Sequence, residues 1–225
     1  CRNGAITNLA SPSSLGFTLR AVMYPYNDPI TGVQQNTSPC FDSSPIFYEK
    51  PTTIICTGYP FSYSHNASDP ELDSIVYSWA DPLDDGVYNP VAPAIIPFLA
   101  PYSLNSQIPG NPVLDPNTGE ISYNSLTSGN FVTCIKVSSY KCGQLVAEIF
   151  REIQVILLAC PNMLGGGPNT KPVVNPPFAG GTSYSTTVYA GDLVTFNISG
   201  TDNDIYSNGS PQDLTLEVSG AQFAS

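Results

Sequence analysis

Hydrophobic and polar positions alternate with period two over several short stretches of the chain. Ser74–Trp79 sets Ile75, Tyr77 and Trp79 against Val76 and Ser78, and Asn130–Ser139 sets Phe131, Thr133, Ile135 and Val137 against Val132, Cys134, Lys136 and Ser138. Successive side chains leave opposite faces of a pleated strand, so each pattern predicts a strand. Thr53–Cys56 and Pro60–Ser64 read the same way. With the acidic turn Asp69-Pro70-Glu71-Leu72-Asp73 ahead of Ser74, they form the stretch that organises the rest.

Taken in order, Leu15–Tyr24 predicts a strand, Tyr26–Pro39 is turn-rich, and Ser44–Tyr48 ahead of Pro51 predicts an extended segment at a sheet edge, where proline is tolerated. Asp81–Pro112 is too rich in proline for a sheet interior and predicts an extended crossover lying over the surface. Within Val113–Tyr123, Asp115-Pro116-Asn117-Thr118-Gly119 is a turn in which Pro116 fixes φ and Gly119 accepts positive φ. Leu145–Leu158 contains good helix formers. The alternation of Ile149, Arg151, Ile153 and Val155 against Phe150, Glu152 and Gln154 favours a strand, paired with Asn130–Ser139 as a hairpin across Tyr140–Gln144.

Pro161–Pro177 reads as a linker, three glycines followed by spaced prolines. Beyond it, Ser183–Tyr189, Asp192–Ser199 and Asp213–Ser219 predict further strands, and a glycine, a short strand and an acidic turn recur in both halves. The expected organisation is therefore an all-β chain. Residues 1–39, an N-terminal strand region, belong to or lead into a first module at 40–160, residues 161–177 link, and residues 178–225 begin a truncated second module. The segment is expected to be a piece of a longer secreted polypeptide.

Composition narrows the function classes. Only 11% of residues are charged, and 22 prolines with 18 glycines leave little room for long helices. Seven basic residues against 18 acidic ones give a net charge of −11, and the basic residues do not cluster, which argues against nucleic acid as a partner. There is no run of about twenty apolar residues, so no membrane insertion is expected of this segment.

The six cysteines are Cys1, Cys40, Cys56, Cys134, Cys142 and Cys160, without a C-x-x-C pair. That spacing favours disulfides in an oxidising compartment over a zinc site. Of the fifteen connectivities, Cys134–Cys142, flanking the predicted hairpin, and Cys40–Cys56 are the favoured pairs.

Catalytic groups are sparse. His65 is the single imidazole and reads as a solvated histidine at a strand end; no nucleophile elbow or H-E-x-x-H is present, and the chain is not expected to be an enzyme. Calcium is the sharpest chemical hypothesis, since a hard cation takes six to eight oxygens. Asp69, Glu71 and Asp73 share one turn, and Asp202, Asn203 and Asp204 another. The same residues also read as turn formers whose carboxylates accept backbone amides. No cofactor is required. Thirteen tyrosines and one tryptophan raise a sugar-stacking surface as an alternative, with Tyr88 and Tyr102 as its exposed candidates and Tyr77 and Trp79 on a core face. Sequons at Asn36, Asn66, Asn197 and Asn208 are expected in surface turns.

Several phrases together resemble the tandem immunoglobulin/cadherin-like repeats of very large Bacteroidetes surface proteins associated with gliding motility and type IX secretion. They are Cys56-Thr57-Gly58-Tyr59-Pro60-Phe61, Ala67 to Ser78, Leu114 to Ile121, and the Phe131–Val155 hairpin that ends in Cys160. The likeness covers most of residues 40–160 and, more loosely, 170–219. It implies tandem immunoglobulin-like (cadherin- or PKD-like) β-sandwiches. The family's acidic turn has the form Asp-x-Asp-Gly-Asp, whereas this chain has Leu72 in place of the glycine. Asp73-Ser74-Ile75 is similar to the short O-glycosylation signal of that phylum, making Ser74 a candidate. The implied role is a structural or adhesive repeat of an extracellular fibre, with neighbouring repeats or copies of itself as partners. The alternative is a carbohydrate-binding module that recognises surface glycans.

Overall fold

Among the described residues, fourteen strands and one 3-10 turn at Pro12–Ser14 make up the regular structure, so the protein is all-β. The computed structural model describes residues 2–84, 89, 91–159, 172–205 and 209–216. The strands are β1 (Ala21–Met23), β2 (Tyr26–Asn27), β3 (Gln34–Gln35), β4 (Ile46–Phe47), β5 (Ile54–Cys56), β6 (Pro60–Ser64) and β7 (Ala67–Ser68). They continue with β8 (Ser74–Trp79), β9 (Val113–Leu114), β10 (Glu120–Asn124), β11 (Gly129–Lys141), β12 (Gln144–Leu158), β13 (Val173–Asn175) and β14 (Ser199–Thr201). The chain divides into two units, the first built on Cys1–Ala159 and the second on Cys160–Val218.

The β11–β12 hairpin is the spine of the first unit. Its antiparallel register runs from Gly129↔Leu157 to Lys141↔Gln144, with one irregularity at Ser139/Tyr140. The alternating reading of Leu145–Leu158 is thus met by a strand. β8 pairs antiparallel with β11, β1 antiparallel with β12, and β5 parallel with the far end of β12, giving a five-stranded sheet. A second sheet, β6-β10-β9, is closed by the Asp115–Gly119 turn, in which Asp115 Oδ1 accepts the amides of Asn117 and Thr118 at 2.8 and 3.1 Å. Gly119 has φ +67, and a Cβ there would lie 2.4 Å from the Tyr77 ring, so both conformation and space require glycine.

The main core lies between these sheets. Phe131, Ile135, Val137, Ile149, Ile153, Val155 and Leu157 come from the hairpin, and Ile121 and Tyr123 from β10, with Phe61 and Tyr63 of β6 packed against them. A second, smaller cluster covers the opposite face, where Val132 meets Ile6, Leu9 and Ile96. The hairpin is therefore buried on both faces.

Two segments gain definition from this packing. Residues 1–39 are an integral part of the first unit: Ile6 and Leu9 are buried, and β1 is a strand of the main sheet. Of the predicted strand Leu15–Tyr24, only Ala21–Met23 joins a ladder. The proline-rich Asp81–Pro112 segment does lie over the sheet, but it also inserts Ile96 and Ile108 into the two clusters and bridges Leu9 to Phe98 and Leu83 to Ile95.

The second unit differs more. Its described ladder pairs β13 with β14, so a strand forms at Val173–Asn175, inside the predicted linker. Ser183–Tyr189 and residues 192–198 are not in strands, and neither is the described part of Asp213–Ser219. None of its described residues is buried. Alternation marks a segment suited to a pleated surface, but a strand exists only where a partner supplies the ladder. In this unit the described residues supply one short pair.

Candidate functional site

The acidic turn follows β7 directly, and its first residue fixes its shape. Asp69 is buried; its Oδ1 accepts the Glu71 amide at 3.0 Å and the Asp73 amide at 3.4 Å, while Oδ2 accepts the Ser139 hydroxyl of β11 at 2.7 Å. Leu72 takes φ +64, a left-handed conformation that favours glycine, with its side chain 84% exposed.

The remaining carboxylates turn to other partners. Glu71 Oε1 accepts the Ser43 hydroxyl at 2.7 Å. Lys141, at the end of β11, lies 2.7 Å from Asp42 Oδ2 and 3.2 Å from Asp73 Oδ2 and sits over the Tyr26 ring. Burial works against the Lys141 ammonium, but the Asp42 and Asp73 hydrogen bonds outweigh it and raise its pKa. Burial raises the Asp73 carboxyl, opposed by Lys141. Asp69, Glu71 and Asp73 thus hold backbone, a hydroxyl and a lysine instead of converging on one point. In the second unit, the turn after β14 repeats the backbone role: Asp202 Oδ1 accepts the Asp204 amide at 2.9 Å, with Asn203 between them. No group of three His, Cys, Asp or Glu side chains with metal-binding geometry occurs among the described residues.

His65 is not solvated. It is 1% exposed, packed edge-on to Tyr63 and Phe47 with centroids 5.1 and 6.2 Å away, and neither ring nitrogen has a hydrogen-bond partner among the described residues. Burial, reinforced by the Arg151 guanidinium, lowers its pKa to about 3. The alternation that placed His65 after Pro60–Ser64 also placed it on the face of Phe61 and Tyr63, which is the signal for burial. A cavity of about 20 Å³ beside it is lined by Tyr123, Thr133 and Ile153 among others.

The favoured disulfides do not form. Cys40, Cys134 and Cys142 are free thiols, whereas Cys56 is disulfide-bonded. Cys134 and Cys142 lie eight positions apart along one nearly continuous strand, about 26 Å at the usual rise, far beyond the reach of a disulfide. Cys134 is buried, and burial followed by the Glu152 and Asp81 carboxylates pushes its thiol pKa up. The partner of Cys56 is not Cys40, which is free; Cys1 and Cys160 lie outside the described residues.

Asn36 is not a surface acceptor. It is 6% exposed with φ +57; its Nδ2 donates to the Tyr24 and Val146 carbonyls at 2.7 and 3.0 Å, and its Oδ1 accepts the Asp42 amide at 2.7 Å. A glycan on that nitrogen is incompatible with this packing. Asn66 is half-buried with φ +41, Asn197 and Ser74 are exposed, and Asn208 lies outside the described residues. Tyr102 is half-buried and edge-on to Phe131 at 5.6 Å, so it supports the core and is not a stacking platform; Tyr88 lies outside the described residues. Tyr77 is buried, and Trp79 packs against the core.

The structural role of three buried amides is not visible in the sequence: Asn8, Asn36 and Gln107 are each bonded to backbone on a distant segment. Nor is that of Arg2. This buried guanidinium pairs with Glu152 at 2.5 and 2.7 Å and donates to the Gly16 and Leu83 carbonyls. Asn8, Gln107 and Arg2 belong to no motif, Asn36 was marked only by its sequon, and the fold alone brings all four to their partners. Comparison of the chain with protein-family models, curated proteins and solved structures found no match.

Proposed function

We propose that the chain is a non-catalytic structural and adhesive segment of a secreted cell-surface protein. Tandem immunoglobulin-like β-sandwiches form or space an extracellular fibre of the kind that serves adhesion or gliding on Bacteroidetes cells. The observation that supports this most is the task given to the buried polar side chains of the first unit. Arg2, Asn8, Asn36, Asp69 and Gln107 all tie loops or the acidic turn to the hairpin, across up to 150 positions of sequence. Polar groups bonded in this way hold one arrangement of long loops against a long hairpin, which suits a spacer under load. The disulfide at Cys56 and the sparsely charged surface favour an oxidising, extracellular setting.

In this reading the partners are neighbouring repeats or further copies. Leu193, Val194, Phe196 and Ile198 of the second unit offer exposed apolar contact area, and many weak contacts along a fibre add up through multivalency. Electron microscopy of the native material tests the proposal, with filaments as the expected outcome. Monodisperse single particles, together with tight and selective binding on a glycan array, would overturn it in favour of a carbohydrate-binding module.

A further inference from the structure

We propose that Cys40 and Cys142 are a redox pair that closes into a disulfide when the protein meets an oxidising environment. Both are free, exposed thiols. The loop carrying Cys40 is pinned to the tip of the β11–β12 hairpin on either side of the cysteine. Before it, Asn36 Nδ2 donates to the Val146 carbonyl at 3.0 Å; after it, Asp42 Oδ2 lies 2.7 Å from Lys141 Nζ. The Asp42 amide closes the loop on Asn36 Oδ1 at 2.7 Å, and the Cys40 amide turns back to the Thr37 carbonyl at 2.8 Å. Cys142 follows Lys141 immediately. The two thiols therefore share one end of the first unit, on segments already held together by an ion pair and a buried amide.

The residue choice at the hairpin tip points the same way. Cys142 and Gly143 form the two-residue connection between β11 and β12, with φ +50 and +76. Such turns favour Asn-Gly, since both central residues need positive φ. A cysteine is an unfavourable choice for that backbone, and an exposed one is a liability unless its sulfur has a partner. The other described cysteines do not compete, since Cys56 is already bonded and Cys134 is buried. Neither Cys40 nor Cys142 lies in a strand, so closure to disulfide distance asks for movement of the loop and the hairpin tip and not of the strand ladders.

The oxidant is an external small-molecule disulfide. One cysteine thiolate attacks it, forming a mixed disulfide and releasing one small thiol; the second protein thiolate then displaces the other small thiol. Two protein S–H bonds and one external S–S bond are lost, and one protein S–S bond and two external S–H bonds are formed.

The test uses the full chain with added oxidised glutathione, so that its outcome is separate from the extracellular location proposed above. The protein is oxidised, denatured, alkylated and digested without reduction. Cleavage after Lys, Arg and Glu leaves Cys40, Cys56, Cys134 and Cys142 on different peptides. The expected product is a cross-linked pair containing Cys40 and Cys142, two hydrogens lighter than its parts, with alkylation of both residues reduced at least tenfold relative to the reduced protein. In Cys40→Ser, Cys142 should carry no cross-link and be recovered alkylated or as its mixed disulfide with glutathione, and Cys142→Ser should do the same for Cys40. Alkylation of both residues in the oxidised wild-type protein, or a cross-link from either to another cysteine, overturns the proposal without recourse to a variant.

Discussion

Gln107 accepts the Cys134 amide on Oε1 at 2.6 Å and donates from Nε2 to the Cys134 carbonyl at 3.0 Å, so one side chain stands in for a strand residue at the edge of β11. β8 pairs with that edge as far as Trp79, opposite Ile135, and just beyond it the Ala80 amide also donates to the Cys134 carbonyl, at 3.0 Å. Asn8 repeats the device one pleat further on, accepting the Val132 amide at 2.9 Å and donating to its carbonyl at 2.8 Å. Unpaired backbone groups at a buried edge cost free energy, and these amides supply the missing partners. Gln107→Ala should therefore lower stability by about 3 kcal/mol, because it strands the buried Cys134 amide and takes the Nε2 donor from the Ala80 carbonyl, while the Cys134 carbonyl keeps the Ala80 amide. Urea denaturation measures it, and a loss below about 1 kcal/mol would mean that β11 finds other partners at this position.

The amide devices also mark where the sequence stops being legible. Period-two alternation located β6, β8 and the β11–β12 hairpin because those strands carry one face into the main core. The second burial layer was not visible, because Val132 and Cys134 lie on the face that alternation assigns to solvent, and their cover comes from residues about 125 positions before Val132 and from the proline-rich crossover. The acidic turn was legible as a turn, since Asp-x-x-x-Asp chemistry is local. Its role was not, because Ser139 and Lys141 reach it from 70 and 68 positions away. Cysteine pairing failed for the same reason: nearness in sequence within one strand is distance in space.

Arg2 and Glu152 form an ion pair with side-chain exposures of 3% and 9%. Removing one partner leaves the other buried and uncompensated. Glu152→Gln should cost about 3 kcal/mol, whereas replacing both residues with apolar side chains of similar size should cost much less. A double-mutant cycle by chemical denaturation checks this, and equal losses in the single and double variants would contradict it.

Leu72 predicts a gain. Left-handed backbone costs a residue with a Cβ about 1–2 kcal/mol, partly offset in glycine by its larger unfolded-state entropy. With an exposed side chain that gives up little packing, Leu72→Gly should raise stability by about 0.5–1 kcal/mol while Leu72→Ala raises it little. Thermal melts of the two variants decide the matter. Chelator should leave every midpoint in place, since the turn carboxylates are engaged by Ser139, Ser43, Lys141 and backbone amides.

His65 sets a pH dependence with a definite sign. Its pKa is about 3 in the folded protein, lowered first by burial and then by Arg151, against an ordinary 6.5 in the unfolded chain. The unfolded state thus takes up the proton first. The contribution to stability is complete above pH 6.5 and is lost progressively as pH falls from 6.5 towards 3. Linkage gives a loss of about 2 kcal/mol between pH 8 and pH 5, a window that lies above most carboxylate titrations. His65→Phe, which keeps the ring contacts with Tyr63 and Phe47, should abolish that part of the slope. Denaturation of both proteins at pH 8 and pH 5 checks it: parallel losses in the two would mean that the imidazole takes up its proton in the folded state and that the packing around Tyr63 opens to admit the charge.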